Sequence, residues 1–127
     1  MKKAFTLLEM LIVLGIIAVI MSALTVSYSS AQKKTRDSRR KSDLKAIQST
    51  LEQYYSRCGF IYPMGSGTLD PPVSCAALPG VDFLPTVPVD PKANATYKYT
   101  SDGSSFTLCT SSIESEAITG FCVANQQ

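Results

Sequence analysis

The sequence has no histidine, and this absence removes the commonest general base and the commonest metal ligand. It also has no Gly-x-Ser-x-Gly elbow and no Cys-x-x-Cys pair, because no cysteine lies within four residues of another. The acidic residues show no paired arrangement in a catalytic setting. The composition therefore predicts a protein that is not an enzyme and that binds no cofactor or metal ion.

The chain has 127 residues, which is room for one domain at most. Its first quarter is apolar and cannot form the core of a water-soluble domain. Roughly 70–100 residues remain, a size at which a core without covalent cross-links is marginally stable.

Four cysteines occur in this remaining part of the chain: Cys58, Cys75, Cys109 and Cys122. An even number in a small domain behind a membrane segment indicates two disulfides and an extracytoplasmic location, whereas four buried thiols in a cytosolic domain are the alternative. Three pairings are possible. We favour Cys58–Cys75, which would tie the end of a helix to a loop, and Cys109–Cys122, which would hold the last strand against a hairpin.

The N-terminal apolar run extends from Phe5 to Val26 and reads FTLLEMLIVLGIIAVIMSALTV. As a helix it would span about 33 Å, enough to cross the hydrocarbon core of a membrane. Glu9 interrupts this run, and a carboxylate at such a position is a functional candidate unless it reaches water at the interface. A cleavable secretory signal, cut after Ser29-Ser30-Ala31, is the main alternative for the whole segment.

The sequence MKKAFTLLEMLIVLGIIAVI resembles the class III signal of type IV pilins and type II secretion pseudopilins. Matched to that family, Ala4 is the last leader residue, at a position where the family usually has glycine, and Phe5 is the first mature residue. Glu9 is then the fifth mature residue, where the family has its glutamate. The resemblance implies a leader at residues 1–4, an apolar transmembrane and filament-core helix at 5–30, and a globular head at 31–127.

The resemblance also implies partners and a mechanism of assembly. A prepilin peptidase would cut between Ala4 and Phe5 and methylate the new N-terminus, and assembly machinery in the inner membrane would build a homo-oligomeric helical filament. Glu9 of one subunit would pair with the Phe5 amine of its neighbour, which would favour one axial register. Before assembly the subunit would cross the membrane once with its head extracytoplasmic, and afterwards it would belong to a periplasmic or extracellular filament.

The residues after Val26 contain no proline or glycine before Gly59, so one helix from about Thr6 to Arg57 is expected, with Gly59 as a C-cap. Its second half carries an apolar face at steps of three and four residues, formed by Leu44, Ile47, Leu51, Tyr54 and Tyr55. The predicted fold class is α+β and pilin-like, with this helix packed on a small antiparallel sheet of about three strands.

The sheet is expected near the C-terminus. Thr96–Thr100 and Ser105–Thr110 flank an Asp-Gly turn, which is a hairpin signal, and Gly120–Asn125 would add a third strand. All seven prolines lie between Pro63 and Pro91 and indicate a loop region.

The segment DPKANATYKYTSDGSSFTLCT resembles the C-terminal part of G-type pseudopilins, a family that binds calcium with acidic residues. The acidic residues Asp90, Asp102, Glu114 and Glu116 show no regular ligand spacing, so no metal site is expected. Asn94 begins a glycosylation sequon.

A basic segment contains seven of the twelve cations: Lys33, Lys34, Arg36, Arg39, Arg40, Lys41 and Lys45. We expect a solvated or subunit-contacting helical face, with Arg39 paired to Asp43 four residues later. The positive-inside rule would place these cations in the cytoplasm. The cysteines and the leader instead favour an extracytoplasmic head.

Three functions remain open at this point. The favoured one is a structural subunit of a type IV pilus or a secretion pseudopilus. The second is a competence-type pilin that binds DNA through the basic segment, although aromatic residues are not interleaved with its cations. The third is an unrelated extracytoplasmic domain anchored by a single membrane span.

Overall fold

The computed structural model describes residues 5–93, 95–116 and 119–126, and it describes only the backbone of residues 24–27. Ala4, the expected last leader residue, and Asn94, the expected sequon residue, lie outside the described residues. Contacts within the chain divide it into two units, Met1–Lys33 and Lys34–Gln127.

One helix, α1, runs from Leu7 to Arg57, close to the expected bounds. Thr6 precedes it as an N-cap, because its Oγ1 accepts a hydrogen bond from the backbone N–H of Glu9 at 3.2 Å. At the other end, the N–H of Phe60 donates to the carbonyl oxygen of Tyr55 at 3.0 Å, and Gly59 adopts φ 82°. Glycine takes this left-handed conformation at little steric cost, so Gly59 ends the helix as expected.

Six short strands follow the helix in the described part of the chain. They are β1 (Gly65–Gly67), β2 (Val73–Ser74), β3 (Asp82–Leu84), β4 (Lys98–Ser101), β5 (Phe106–Cys109) and β6 (Cys122–Ala124). Four of them form an antiparallel sheet in the order β1-β4-β5-β6, and β2 pairs separately with β3. The expected hairpin is β4–β5, with Ser101 opposite Phe106, and the expected third strand is β6. The additional edge strand β1 has the sequence Gly-Ser-Gly, which carries no strand propensity.

The core of the second unit lies between the helix and the sheet. Helix residues Leu44, Ile47 and Leu51 are fully buried, and alternate residues of β4 and β5 face them. The buried residues that pack together in this core are Leu44, Ile47, Leu51, Tyr54, Cys58, Tyr62, Leu69, Val73, Tyr97, Tyr99, Phe106 and Leu108. Tyr55 is only partly buried and packs at the edge of this core, stacked on Tyr62.

Two disulfides fasten the segments around this core, and they have the connectivity favoured from the sequence. Cys58–Cys75 joins the end of α1 to the segment just after β2, and Cys109–Cys122 joins β5 to β6. They close loops with sequence separations of 17 and 13 residues. Loops of this size correspond to about 3 kcal/mol of stabilisation each in the chain-entropy model.

Candidate functional site

The first candidate site is the start of the N-terminal unit. Phe5 is 73% exposed, and Glu9 is exposed in the first turn of α1. A carboxylate in the first turn interacts favourably with the helix dipole, by about 0.3–1 kcal/mol at an exposed site. Thr6 and Glu9 also have the spacing of a capping box, and the Thr6 half of that motif is formed. Glu9 is therefore compatible with the helix, and its carboxylate remains accessible to a second molecule.

The apolar stretch around Glu9, from Leu7 to Met21, buries none of its large side chains within the described chain. Its large side chains are between 45% and 83% exposed, and none of the candidate membrane-spanning window is buried. The exposed apolar residues here are Leu7, Leu8, Met10, Leu11, Ile12, Val13, Leu14, Ile16, Ile17, Val19, Ile20 and Met21. This stretch is long and apolar enough to cross a membrane. A helix that is apolar on all sides requires lipid or other apolar helices around it.

The second candidate site is a buried charge cluster formed by Arg36, Asp37, Arg40, Asp90 and Glu114. Arg40 is completely buried and lies on the same face of α1 as Leu44 and Ile47. Its Nε and Nη2 donate to the two carboxylate oxygens of Asp90 at 2.8 and 2.9 Å. Its Nη1 donates to Asp37 at 2.7 Å, and Nη2 also donates to Glu114 at 2.9 Å.

Glu114 connects the two arginines of the cluster. It accepts hydrogen bonds from Nε and Nη2 of Arg36 at 3.2 and 2.6 Å, in addition to the bond from Arg40. These hydrogen bonds from Arg36 and Arg40 outweigh desolvation and hold the pKa of Glu114 at about 2. Burial acts to raise the pKa of Asp90, but the hydrogen bonds from the Arg40 guanidinium hold that pKa below its ordinary value.

Asp37 joins the helix to the backbone of the last long loop. Its two carboxylate oxygens accept hydrogen bonds from the backbone N–H groups of Glu114 at 3.0 Å and Ser115 at 2.7 Å. Burial acts to raise the pKa of Asp37, but these hydrogen bonds and the one from Arg40 lower it to about 2. The cluster thus fixes two loops on α1, one through Asp90 and the other through Glu114 and Ser115.

The expected solvated face of the basic segment is therefore wrong for several of its residues. Arg40 is buried, Arg36 is half-buried against Glu114, and Lys41 pairs with Glu116 at 3.2 Å. The expected Arg39–Asp43 pair is also absent from the described residues, because Asp43 instead accepts a hydrogen bond from the Tyr97 hydroxyl at 2.8 Å.

The acidic residues considered for calcium are divided among other partners. Asp90 and Glu114 meet at the Arg40 guanidinium, and Glu116 pairs with Lys41. Asp102 lies in the β4–β5 loop, where the backbone N–H groups of Ser105 and Ser104 lower its pKa to about 2. Within the described ranges, no group of three or more Asp, Glu, Cys or His residues is arranged to hold a metal ion.

The buried charge cluster was not among the predicted features, although the sequence contains a signal for it. The apolar periodicity of α1 extends backward from Leu44 to Arg40 and Asp37 at steps of four and three residues. This spacing places both ionisable residues on the core face. Charged residues at core-facing positions of a helix need partners of opposite charge, and apart from Asp37 the acidic partners of Arg40 are distant in sequence.

Comparison with known proteins identifies the N-terminal segment. Residues 1–25 match the family model of the prokaryotic N-terminal methylation motif. No curated protein and no solved structure matches the chain. The matched residues include the beginning of α1, and this long helix followed by an antiparallel sheet is the expected α+β, pilin-like arrangement. The N-terminal segment of the chain thus carries the methylation motif of a class III signal peptide, and the architecture of the chain is pilin-like.

Proposed function

We propose that this protein is a non-enzymatic structural subunit of a helical filament, either a type IV pilus or a secretion pseudopilus. The observation that carries this proposal is the exposed apolar stretch of α1 with Glu9 in its first turn, directly within the methylation motif. In a filament, the apolar stretches of many copies would cover one another. Relative to exposure to water, this cover is worth about 25 cal/mol for each Å² of apolar surface, and in the membrane-inserted precursor lipid provides the same cover.

The proposed assembly step needs two groups on neighbouring subunits. Cleavage between Ala4 and Phe5 by a prepilin peptidase creates an α-amino group, which that enzyme methylates and which stays cationic. The Glu9 carboxylate of one subunit then pairs with the Phe5 amine of the next. An unpaired charge in an apolar filament core is costly, so this pair selects one axial register.

The two disulfides support an extracytoplasmic head. Such bonds persist in oxidising compartments and are rare in the cytosol. Before assembly the subunit crosses the inner membrane once, where the assembly machinery collects it. After assembly it belongs to a periplasmic or extracellular filament.

DNA binding by the basic segment is less well supported than filament assembly. Arg36, Arg40 and Lys41 are engaged with carboxylates of the same chain, which neutralises their charge locally. A protein that binds duplex DNA gains affinity in proportion to the phosphates that its cations neutralise. The exposed cations that remain are too few to make DNA the favoured partner.

The test of assembly is the variant Glu9→Leu, expressed in the native host beside Met10→Leu as a control. Removing the carboxylate lowers the cost of membrane insertion, so we expect normal amounts of membrane-bound subunit. The neighbour's amine is then buried without a partner, at a loss of about 3–5 kcal/mol per contact. Sheared filaments should therefore be lost in Glu9→Leu and retained in Met10→Leu. Normal filaments in Glu9→Leu would refute the pairing mechanism.

The processing step has its own test. N-terminal sequencing and mass spectrometry of the protein from its native host should find N-methylated Phe5 as the first residue. An intact Met1, or a start near Gln32, would contradict processing between Ala4 and Phe5. The second result would indicate a secretory signal cleaved after Ala31.

A further inference from the structure

The cations of the basic segment fall into two groups with different environments. Arg36, Arg40 and Lys41 form ion pairs with acidic residues of the head. Lys33 and Lys34, the two nearest the apolar stretch, are exposed and form no ion pair with any described residue. Of the four cations of this segment that form no ion pair with a described residue, Lys33 and Lys34 therefore lie beside the apolar stretch, whereas Arg39 and Lys45 lie farther along the helix.

The position of Lys33 along α1 suits the polar layer of a membrane. Val26 ends the apolar run, and Lys33 follows seven residues later, which is about 10 Å along a helix. The headgroup layer on each side of a bilayer is about 5–8 Å thick. A lysine has a long aliphatic stem and can turn its ammonium group back by several ångströms, which brings it to the phosphate level.

Tyr28 lies between the apolar run and the two lysines, and its side chain is 68% exposed. A tyrosine has an apolar ring and a polar hydroxyl, and such residues are enriched where hydrocarbon meets headgroups. Going outward from the acyl chains, an aromatic residue is expected first and basic residues next. Tyr28, Lys33 and Lys34 follow this order.

We propose that residues 28–34 bind anionic lipid headgroups on the extracytoplasmic leaflet while the subunit waits in the membrane for assembly. Tyr28 lies at the boundary of the acyl chains, and the ammonium groups of Lys33 and Lys34 contact lipid phosphates. This inference rests on the membrane-inserted precursor of the proposed function, but it does not depend on the Glu9 pairing. Each lysine is worth about 1 kcal/mol near an anionic surface, or about a fivefold local enrichment of anionic lipid.

The sequence contains no tryptophan, so Tyr28→Trp introduces a single fluorescent probe at this position. The full-length Tyr28→Trp chain is reconstituted into vesicles in which about one third of the lipid is anionic and the rest is neutral. Energy transfer from the introduced tryptophan is then compared for trace amounts of dansyl-labelled anionic lipid and dansyl-labelled neutral lipid. We expect severalfold higher transfer to the anionic label, with a decrease as salt rises.

Two variants in the Tyr28→Trp background separate this role from a general effect of charge. Lys33→Gln with Lys34→Gln should abolish the preference for anionic lipid. Arg39→Gln with Lys45→Gln removes two exposed cations farther along the helix and should leave the preference intact. Equal transfer to both labels, or equal loss in both double variants, would overturn the proposal.

Two further outcomes have defined meanings. Tryptophan emission typical of water, without quenching by lipids brominated near the carbonyl level, would overturn the interfacial position of residue 28. Release of the anionic label by duplex DNA at physiological salt would replace lipid by nucleic acid as the partner. Glu9→Leu should keep the lipid preference, so a failure of filament assembly and a failure of lipid binding can be distinguished.

Discussion

At the scale of single residues, Arg40 is the side chain at the centre of the buried charge cluster. It is fully buried and bonded to Asp37, Asp90 and Glu114. Arg40→Met should destabilise the head by about 3–5 kcal/mol, because three carboxylates would lose their shared cation in a poorly solvated site. Urea unfolding in detergent, followed by the near-ultraviolet circular dichroism of the tyrosines, measures this difference.

The neighbouring arginine supplies a matched control. Arg39 is exposed on the same helix, so Arg39→Met should change the free energy of unfolding by no more than about 0.5 kcal/mol. If both variants have the same stability, the buried ion pairs make no net contribution.

The buried environment of Arg40, in contrast to the exposed Arg39, also shows which features the sequence could not predict. Glu9, Phe5 and the cysteines stand out locally, either within a short motif or by residue type. Arg40 depends on Asp90 and Glu114, which are 50 and 74 residues away along the chain. Periodicity places a residue on a helix face, but it does not identify partners brought there by loops without regular structure.

At the scale of secondary-structure elements, the loop between β5 and β6 illustrates how a non-repetitive segment is held. Cys109–Cys122 closes its base, and Thr110 and Phe121 exchange two hydrogen bonds of 2.9 Å. Gly120 adopts φ 95°, and a Cβ atom there would lie 2.5 Å from the carbonyl oxygen of Thr110. The loop can therefore close in this geometry only with glycine at position 120.

Gly120→Ala should destabilise the head through two separate effects. The left-handed conformation costs a residue with a Cβ about 1–2 kcal/mol, and relieving the steric contact costs about 1–3 kcal/mol more. Gly80→Ala is the control, because Gly80 has φ 84° but open space around it. Thermal unfolding should show the larger decrease for Gly120→Ala, and equal decreases would show that the contact with Thr110 is relieved without cost.

The elements themselves were predictable to different degrees. The helix and the β4–β5 hairpin follow from local signals, namely periodicity, a glycine cap and an Asp-Gly turn. The edge strand β1 (Gly65–Gly67) could not be predicted from local signals. It pairs with β4 through backbone hydrogen bonds, and its Gly-Ser-Gly sequence does not indicate a strand. Its formation depends on the neighbouring strand and not on its own residues.

At the scale of the whole molecule, the two units are stabilised by different means. The first exposes apolar side chains throughout its described part and depends on its surroundings, whether lipid or other subunits. The second has its own apolar core, two disulfides and the buried charge cluster. Changes in pH should therefore act mainly on the second unit, through the carboxylates of the cluster and through Asp102, whose pKa is also lowered to about 2.

The sign of this pH dependence follows from the pKa values of Asp37 and Glu114, both about 2 in the folded head, against ordinary values of 3.8 and 4.5. A carboxyl group with a lowered pKa in the folded state binds protons more weakly than in the unfolded state. Its contribution to stability is complete above the unfolded pKa and is lost as the pH falls toward the folded pKa. The stability of the head should thus be nearly constant from pH 7 to about pH 5 and decrease between about pH 4 and pH 2.

Urea unfolding of the full-length chain at several pH values, with the disulfides intact, measures this profile. Asp37→Asn removes one of the responsible carboxylates, so this variant should be less stable at pH 7 but should lose less stability on acidification. Asp70→Asn alters an exposed carboxylate outside the cluster and should leave the profile unchanged. An equally steep decrease in Asp37→Asn and in the unmodified protein would show that Asp37 does not contribute to the acid sensitivity.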